Sequence, residues 1–197
     1  MKIIFASQNK NKIAEIQSKL PHLDIQGLNP LMFPDELIET GDTLDHNALQ
    51  KARQVYEKTH STCFADDTGL EVEALNGTPG VYSARYAGEQ RSSEDNMDLL
   101  LKNLANNTNR KARFKTVIAL IIEGKEYLFE GICEGEITHV ESGAHGFGYD
   151  PIFVPEGRSE TFAEMTMEEK SALSHRGKAV EKLVDFLTEL DGQNTRD

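Results

Sequence analysis

Residues 113–137, RFKTVIALIIEGKEYLFEGICEGEI, read as two long strands joined by a turn at Gly124–Lys125. The first strand, about Arg113–Ile122, contains the longest apolar run of the chain, Val117–Ile122, which suits a buried strand. The second, about Glu126–Ile137, follows at once, so the two form a hairpin and run antiparallel. Gly131 and Gly135 mark bulges or bends in it.

Upstream of this hairpin the chain alternates strand and helix. Lys2–Ala6 reads as a short buried strand, followed by the polar turn SQNKNK. Ile13, Ile16 and Leu20 then fall on one helical face, and Pro21 ends that helix. A strand near Asp24–Leu28 leads through a Pro-containing loop to a helix that starts at Asp42 or Thr43. It runs to about Lys58 with Leu44, Ala48, Ala52 and Val55 buried. Cys63–Ala65 is a further strand, expected to stop abruptly at Asp66–Asp67–Thr68–Gly69. Asn76–Gly80 is a cluster of turn residues with no regular structure, and Asp95–Leu104 is helical.

Downstream, Pro151–Pro155 is extended, and Thr166 with Glu169 has capping-box spacing for a short helix. A last helix carries Ala179, Leu183, Phe186, Leu187 and Leu190, with fraying expected over 191–197. Early strand–helix alternation plus a late hairpin predicts an α/β fold, a mixed sheet flanked by helices. With 197 residues, the chain forms one domain over 1–197 or two lobes sharing one sheet.

Composition narrows the function. Lys and Arg number 21 against 33 Asp and Glu, a net charge of −12, which argues against a nucleic-acid-tracking surface. A small phosphorylated ligand remains compatible if a few cationic groups converge and a divalent cation offsets the charge. No apolar stretch approaches the ~20 residues of a membrane helix, so membrane spanning and secretion are not expected. Cys63 and Cys133 lack a CxxC motif or a close His, and read as reduced, buried thiols of a cytoplasmic protein.

Walker, Rossmann, nucleophile-elbow and HExxH motifs are absent. Chemistry concentrates instead in three places. Ser7–Lys12 lies between a strand and a helix, where free N–H groups, the helix dipole and Lys12 can bind an anion. The same residues can equally serve as an ordinary cap beside a solvated lysine. Asp66–Asp67–Thr68–Gly69 offers two adjacent carboxylates with alternating directions, suited to a hard divalent metal such as Mg²⁺ or to an Asx-type turn. Glu39, before a helix start, is a candidate second carboxylate for that ion. Finally, Gly146–Asp150 (GFGYD) with Lys170, Ser174, His175 and Arg176 combines a ring for stacking with donors that can read carbonyl oxygens of a base. The alternative there is a core Phe147, a capping Ser174 and solvated basic residues. Gly80–Gly88 (GVYSARYAG) is either an interface or a loop packed behind the site.

Five segments occur in order across residues 7–179: SQNKNKIAEI, ETGDTLDHNALQKAR, FADDTGLEVEALNGTPGVYSARYAG, GFGYDPIF and EEKSALSHRGKA. Together they resemble the inosine triphosphate pyrophosphatase family, which hydrolyses dITP, ITP and XTP. The resemblance implies an elongated α/β fold with a long mixed sheet, two lobes with a central cleft, and a homodimer. It also implies Mg²⁺-dependent cleavage between the α and β phosphates of a purine nucleoside triphosphate. By motif position, Ser7, Gln8, Asn9, Lys10, Asn11 and Lys12 match the triphosphate-binding segment, and Asp67 matches the proton acceptor and metal-associated carboxylate. Glu39 matches an additional metal ligand, while Thr68 stands where many relatives carry Ser. Phe147, Gly148, Tyr149 and Asp150 match a nucleotide-binding segment, and Lys170, His175 and Arg176 match the residues that hold the base. The chain departs from the pattern at His46, where an acidic residue is common, at Gln8, often Gly, and at Ser171, often Asn. The resemblance leaves the roles of Asp66 and His46 unassigned. A related pyrophosphatase of pyrimidine or modified-base preference and a non-catalytic nucleotide sensor are the other readings, which a substrate panel with Mg²⁺ separates.

Overall fold

The structure, a computed structural model, describes residues 2–8 and 10–194, with the backbone alone at residues 11, 15 and 191–194. The hairpin forms as β5 (Lys111–Ile122) and β6 (Lys125–Ile137), following β1 (Lys2–Phe5), β2 (Asp24–Gln26), β3 (Cys63–Val72) and β4 (Pro79–Gly80). Its turn falls one residue earlier than the sequence suggests. Glu123 and Gly124 both take positive φ, 51° and 76°, as a two-residue hairpin turn requires, and Lys125 already belongs to β6. The helices are α1 (Lys10–Lys19), α2 (Leu44–Thr59), α3 (Ser93–Asn103), α4 (Met167–Leu173) and α5 (His175–Asn194), and β7 is Phe153–Pro155. Helix α5 therefore continues through part of the segment expected to fray, and residues 195–197 lie outside the described residues.

The strands form a mixed sheet in the order β2-β1-β3-β5-β6-β7, with β4 paired to β3. β1 runs parallel to β2 and β3, whereas β4 is antiparallel to β3 and β7 to β6. Early βαβ connections and a late hairpin thus give the two kinds of pairing that the sequence pattern predicts. Two details differ. Pro79–Gly80, read as pure turn, pairs with β3 at Glu71 and Leu70. More consequentially, β3 does not stop at Asp66 but runs to Val72, so Asp66, Asp67 and Thr68 sit in the middle of a strand. Two lysines from elsewhere in the chain neutralise those carboxylates, which lets an acidic pair continue as strand where local propensity favours a turn.

The chain divides into two compact units, neither contiguous in sequence. Residues 1–67, 117–130 and 179–197 form the first, and residues 68–116 and 131–178 the second. The first has its core among Ile3, Phe5, Leu20, Phe64, Leu120, Leu183 and Leu187. Phe5 and Phe64 stack at 4.6 Å and 10°. In the second, Leu70, Leu100, Phe114, Phe153 and Phe162 pack together, with Phe114 and Phe153 edge to face at 4.7 Å. Gly135 belongs to this second core for a steric reason. A Cβ there would stand 2.3 Å from the Val154 carbonyl oxygen and 2.6 Å from Phe153 Cζ, so close approach of β7 demands glycine.

Cys63 and Cys133 are free and buried, as expected. No helix among the described residues is long and apolar enough to cross a membrane.

Candidate active site

In the first unit, α2 carries the organising element. Thr43 caps it, accepting the His46 N–H at 3.1 Å, and its buried face comprises Leu44, Asn47, Ala48, Lys51, Ala52 and Val55. Two polar residues therefore stand within an otherwise apolar stripe. Asn47 accepts the Gly41 N–H at 2.7 Å, Gln50 accepts that of Thr40 and Gln54 that of Ile38, each at 2.9 Å. Three side-chain amides on successive turns thus zip the segment around Glu39 to the helix. A Cβ at Gly41 would sit 2.8 Å from the Asn47 oxygen and from His46 Cβ, so a side chain there would displace the first turn's contacts.

That zipper delivers Glu39 to Lys51. The Lys51 Nζ lies 2.5 Å from a Glu39 oxygen and 3.4 Å from Asp67 Oδ1, so the two carboxylates meet on one ammonium. Burial alone would lower the Lys51 pKa, but Asp67 and Glu39 outweigh it and the net shift is upward. Asp67 is also raised, by burial first; Lys51 opposes that shift and Glu39 adds to it. The second Asp67 oxygen, Oδ2, is buried and has no hydrogen-bond partner among the described residues. An ionised oxygen left in that state is costly unless a cation or a proton donor arrives. No three His, Cys, Asp or Glu side chains gather to hold a metal among the described residues. A pair of carboxylates fits an ion that retains several waters and completes its shell with phosphate oxygens.

Asp66, one residue earlier, has a different partner. Lys12, from the first turn of α1, donates to both of its oxygens, at 3.2 and 3.0 Å. Lys10 opens the same helix and is exposed. Gln8 donates to the Phe33 carbonyl at 3.1 Å, and the Ser7 carbonyl accepts the Leu28 N–H at 3.0 Å. Asn9 and the side chain of Asn11 lie outside the described residues.

The second unit gathers the remaining candidates. Thr68 shares a 2.7 Å hydrogen bond with the Thr116 hydroxyl. Phe147 is no core residue: its ring is 65% exposed and flanked by two cations, Lys170 Nζ at 4.9 Å and the Arg176 guanidinium at 5.6 Å from the ring centre. Asp150 is buried and holds this group together, accepting the Phe147 N–H at 2.8 Å and Lys170 Nζ at 2.5 Å. Gly146 makes room for it, because a Cβ would lie 2.1 Å from Asp150 Oδ2. His175 is buried and stacks on Phe114 at 4.6 Å and 16°. Gly148 takes φ 64° with open space around its Cα. Tyr149 turns inward, donating its hydroxyl to the Ser83 carbonyl at 2.8 Å, and burial raises its pKa.

That last contact explains GVYSARYAG. Ser83 donates to the Gly80 carbonyl and accepts the Leu70 N–H, while Asn96 of α3 accepts the Ala87 N–H at 2.7 Å. The segment is therefore a packed support beneath GFGYD. A groove of about 680 Å³ on the same unit, beside Glu71, Arg113, Glu134 and Arg158, contains none of the candidate residues.

Lys51 and Asn47 are the residues the sequence reading passed over. Their signal is present in hindsight: both interrupt the apolar stripe of α2 at helical spacing, and a lysine at such a position needs buried carboxylates to face.

A family model described as the Ham1 family matches residues 3–186. The chain is 58% identical over 189 residues to a protein of Flavobacterium johnsoniae named dITP/XTP pyrophosphatase, covering 95% of this chain and 98% of that one. A Porphyromonas gingivalis protein of the same name is 49% identical over 188 residues, covering 94% and 97%. Among solved structures, the Staphylococcus aureus Ham1 protein superimposes with a TM-score of 0.91 at 40% identity, covering 96% of this chain and 99% of that one. Across nearly its full length, in sequence and in fold, this chain belongs to the Ham1 family.

Proposed function

We propose that this chain is a nucleoside triphosphate pyrophosphatase that converts dITP, ITP and XTP to the monophosphate and pyrophosphate, clearing non-standard purines from the nucleotide pool. The observation that carries the reading is the meeting of Glu39 and Asp67 on one ammonium, with a buried Asp67 oxygen that has no hydrogen-bond partner among the described residues. Relatives named dITP/XTP pyrophosphatase support the substrate class.

Glu39 and Asp67 would hold Mg²⁺, which when bound neutralises phosphate charge and polarises the phosphorus to be attacked. Asp67, whose pKa burial raises, orients a water and takes its proton as the water oxygen bonds to the α-phosphorus and the α–β bridging bond breaks. Lys12 and the backbone donors near Ser7 stabilise the charge that collects on the departing pyrophosphate. Lys51 holds Glu39 and Asp67 close together and opposes the burial that raises the Asp67 pKa. The Phe147 ring stacks on the base, and Lys170, His175 and Arg176 face its 6-oxo acceptor. Adenine presents an amino group at that position, a donor against donors, at a cost of about 1–3 kcal/mol. Two buried thiols suit a reducing cytoplasm, and the family resemblance suggests a homodimer, which sedimentation tests.

The deciding experiment measures pyrophosphate release by the purified chain with Mg²⁺ across a nucleotide panel. Values of kcat/KM for dITP, ITP and XTP should exceed those for GTP, ATP and the pyrimidine triphosphates. Equal values across the panel defeat the specificity, and absence of release defeats the enzyme reading. Asp67→Asn should abolish turnover in a folded protein, and near-normal turnover would remove Asp67 from the mechanism.

A further inference from the structure

Asp66 and Asp67 are neighbours on β3, yet their close ion-pair contacts are with different lysines, although Asp66 also acts on Lys51 through space. Lys51 takes Asp67 together with Glu39, whereas Lys12 takes Asp66, with both carboxylate oxygens within 3.2 Å of its Nζ. The Asp66 side chain is 9% exposed and the Lys12 side chain 30%. An ammonium has three N–H donors, and here a fork of two carboxylate oxygens faces them. A phosphate presents the same kind of fork. The cation assigned above to the leaving pyrophosphate therefore already has an anionic partner built into the strand beside the metal-binding carboxylate.

We infer that Asp66 is a positioning residue that competes with phosphate for the Lys12 ammonium, and so keeps the cleaved pyrophosphate from staying bound. The inference rests on the function proposed above. A nucleoside triphosphate is anchored by its base as well as its phosphates, so it can share or displace the Asp66 contact. Once the α–β bond is broken, pyrophosphate has lost that anchor. Against a preformed carboxylate pair it gains less from Lys12 than it would from an unpaired lysine, and Asp66 recovers the ammonium as the product leaves. Orthophosphate meets the same barrier, so free phosphates do not occupy the site between turnovers.

The test compares the full chain with Asp66→Asn, Lys12→Met and the double variant. It measures kcat and KM for dITP, the inhibition constant of pyrophosphate, and pyrophosphate binding by calorimetry. Asp66→Asn should tighten pyrophosphate by roughly three- to tenfold, the scale of one partly exposed ion pair, and lower kcat and KM together as product lingers. Asp66→Glu, which keeps the carboxylate, should return the inhibition constant towards wild type. In the Lys12→Met background the Asp66 substitution should change nothing. Lys12→Met alone should depress dITP turnover while moving the pyrophosphate constant less than about threefold, a split readable even if the Asp66→Asn protein does not fold. Unchanged or weaker pyrophosphate binding in Asp66→Asn overturns the inference. So does tightening that persists without Lys12, or a large loss of pyrophosphate affinity in Lys12→Met alone. A wild-type chain that releases no pyrophosphate from dITP would instead overturn the proposed function, and the calorimetric arm separates the two failures.

Discussion

Replacing Lys51 by methionine removes the cation on which Glu39 and Asp67 converge and leaves a side chain of similar length. The Lys51 side chain is 11% exposed and that of Asp67 13%, whereas Glu39, at 32%, can turn towards water. Breaking a buried ion pair from one side costs about 3–5 kcal/mol, and relief at Glu39 puts this case near the lower end, about 3 kcal/mol. For a chain of this size that corresponds to a fall of roughly 6–12 °C in Tm. Direction with pH provides a second readout. Asp67 already titrates above its ordinary value because it is buried, and losing Lys51 pushes it further up. A carboxylate raised on folding destabilises the native state when ionised, so the deficit should be full at neutral pH and shrink on acidification as the group protonates. Mg²⁺ should raise the variant's Tm more than that of the wild type, because an ion then finds two uncompensated carboxylates. Thermal unfolding by circular dichroism over a pH series, with and without Mg²⁺, measures all three effects. An unchanged Tm at neutral pH, or a deficit that grows on acidification, would refute the reasoning.

Phe147→Ala should raise KM for dITP by roughly 5- to 150-fold, the equivalent of about 1–3 kcal/mol of base stacking. Because the ring is 65% exposed, Tm should stay unchanged, which steady-state kinetics and a melt together check. Gly135→Ala forces a methyl against the Val154 carbonyl and the Phe153 ring, and should cost about 1–3 kcal/mol, seen as a Tm lowered by several degrees. Burial pushes the Cys63 thiol up to about 12 and the Cys133 thiol up to about 11. Neither should react with iodoacetamide in the native protein at mildly alkaline pH, and both should react once it is unfolded, as mass spectrometry can follow.

Which parts of the molecule were readable in advance follows from where the deciding forces lie. The β5–β6 hairpin and the Thr166–Glu169 capping box depend on residues close in sequence, and both form as expected. The course of β3 depends on Lys12 and Lys51, more than 50 and about 16 residues away, and no local rule could supply them. Asp66–Asp67–Thr68–Gly69 therefore read as a strand end although it lies mid-strand. The ring of Phe147 with Lys170 and Arg176 assembles from two motifs separated in the chain, which the residue types alone group as one base-binding candidate. Lys51 was missed for another reason. A lysine on a helix ordinarily reaches solvent, and only the distant Glu39 and Asp67 make burial of this one possible.

The first unit draws its core from both ends of the chain. Ile3 and Phe5 pack with Ile118 and Leu120 and with Ala179, Val180, Leu183 and Leu187 of α5. A ribosome working from the amino terminus thus releases β1, β2 and α2 long before the helix that completes their shelter has been made. During most of synthesis those greasy surfaces face solvent or a chaperone, and only the arrival of the final turns closes the shell. Premature termination anywhere upstream of α5 should accordingly yield aggregating or degraded fragments rather than a smaller, working protein.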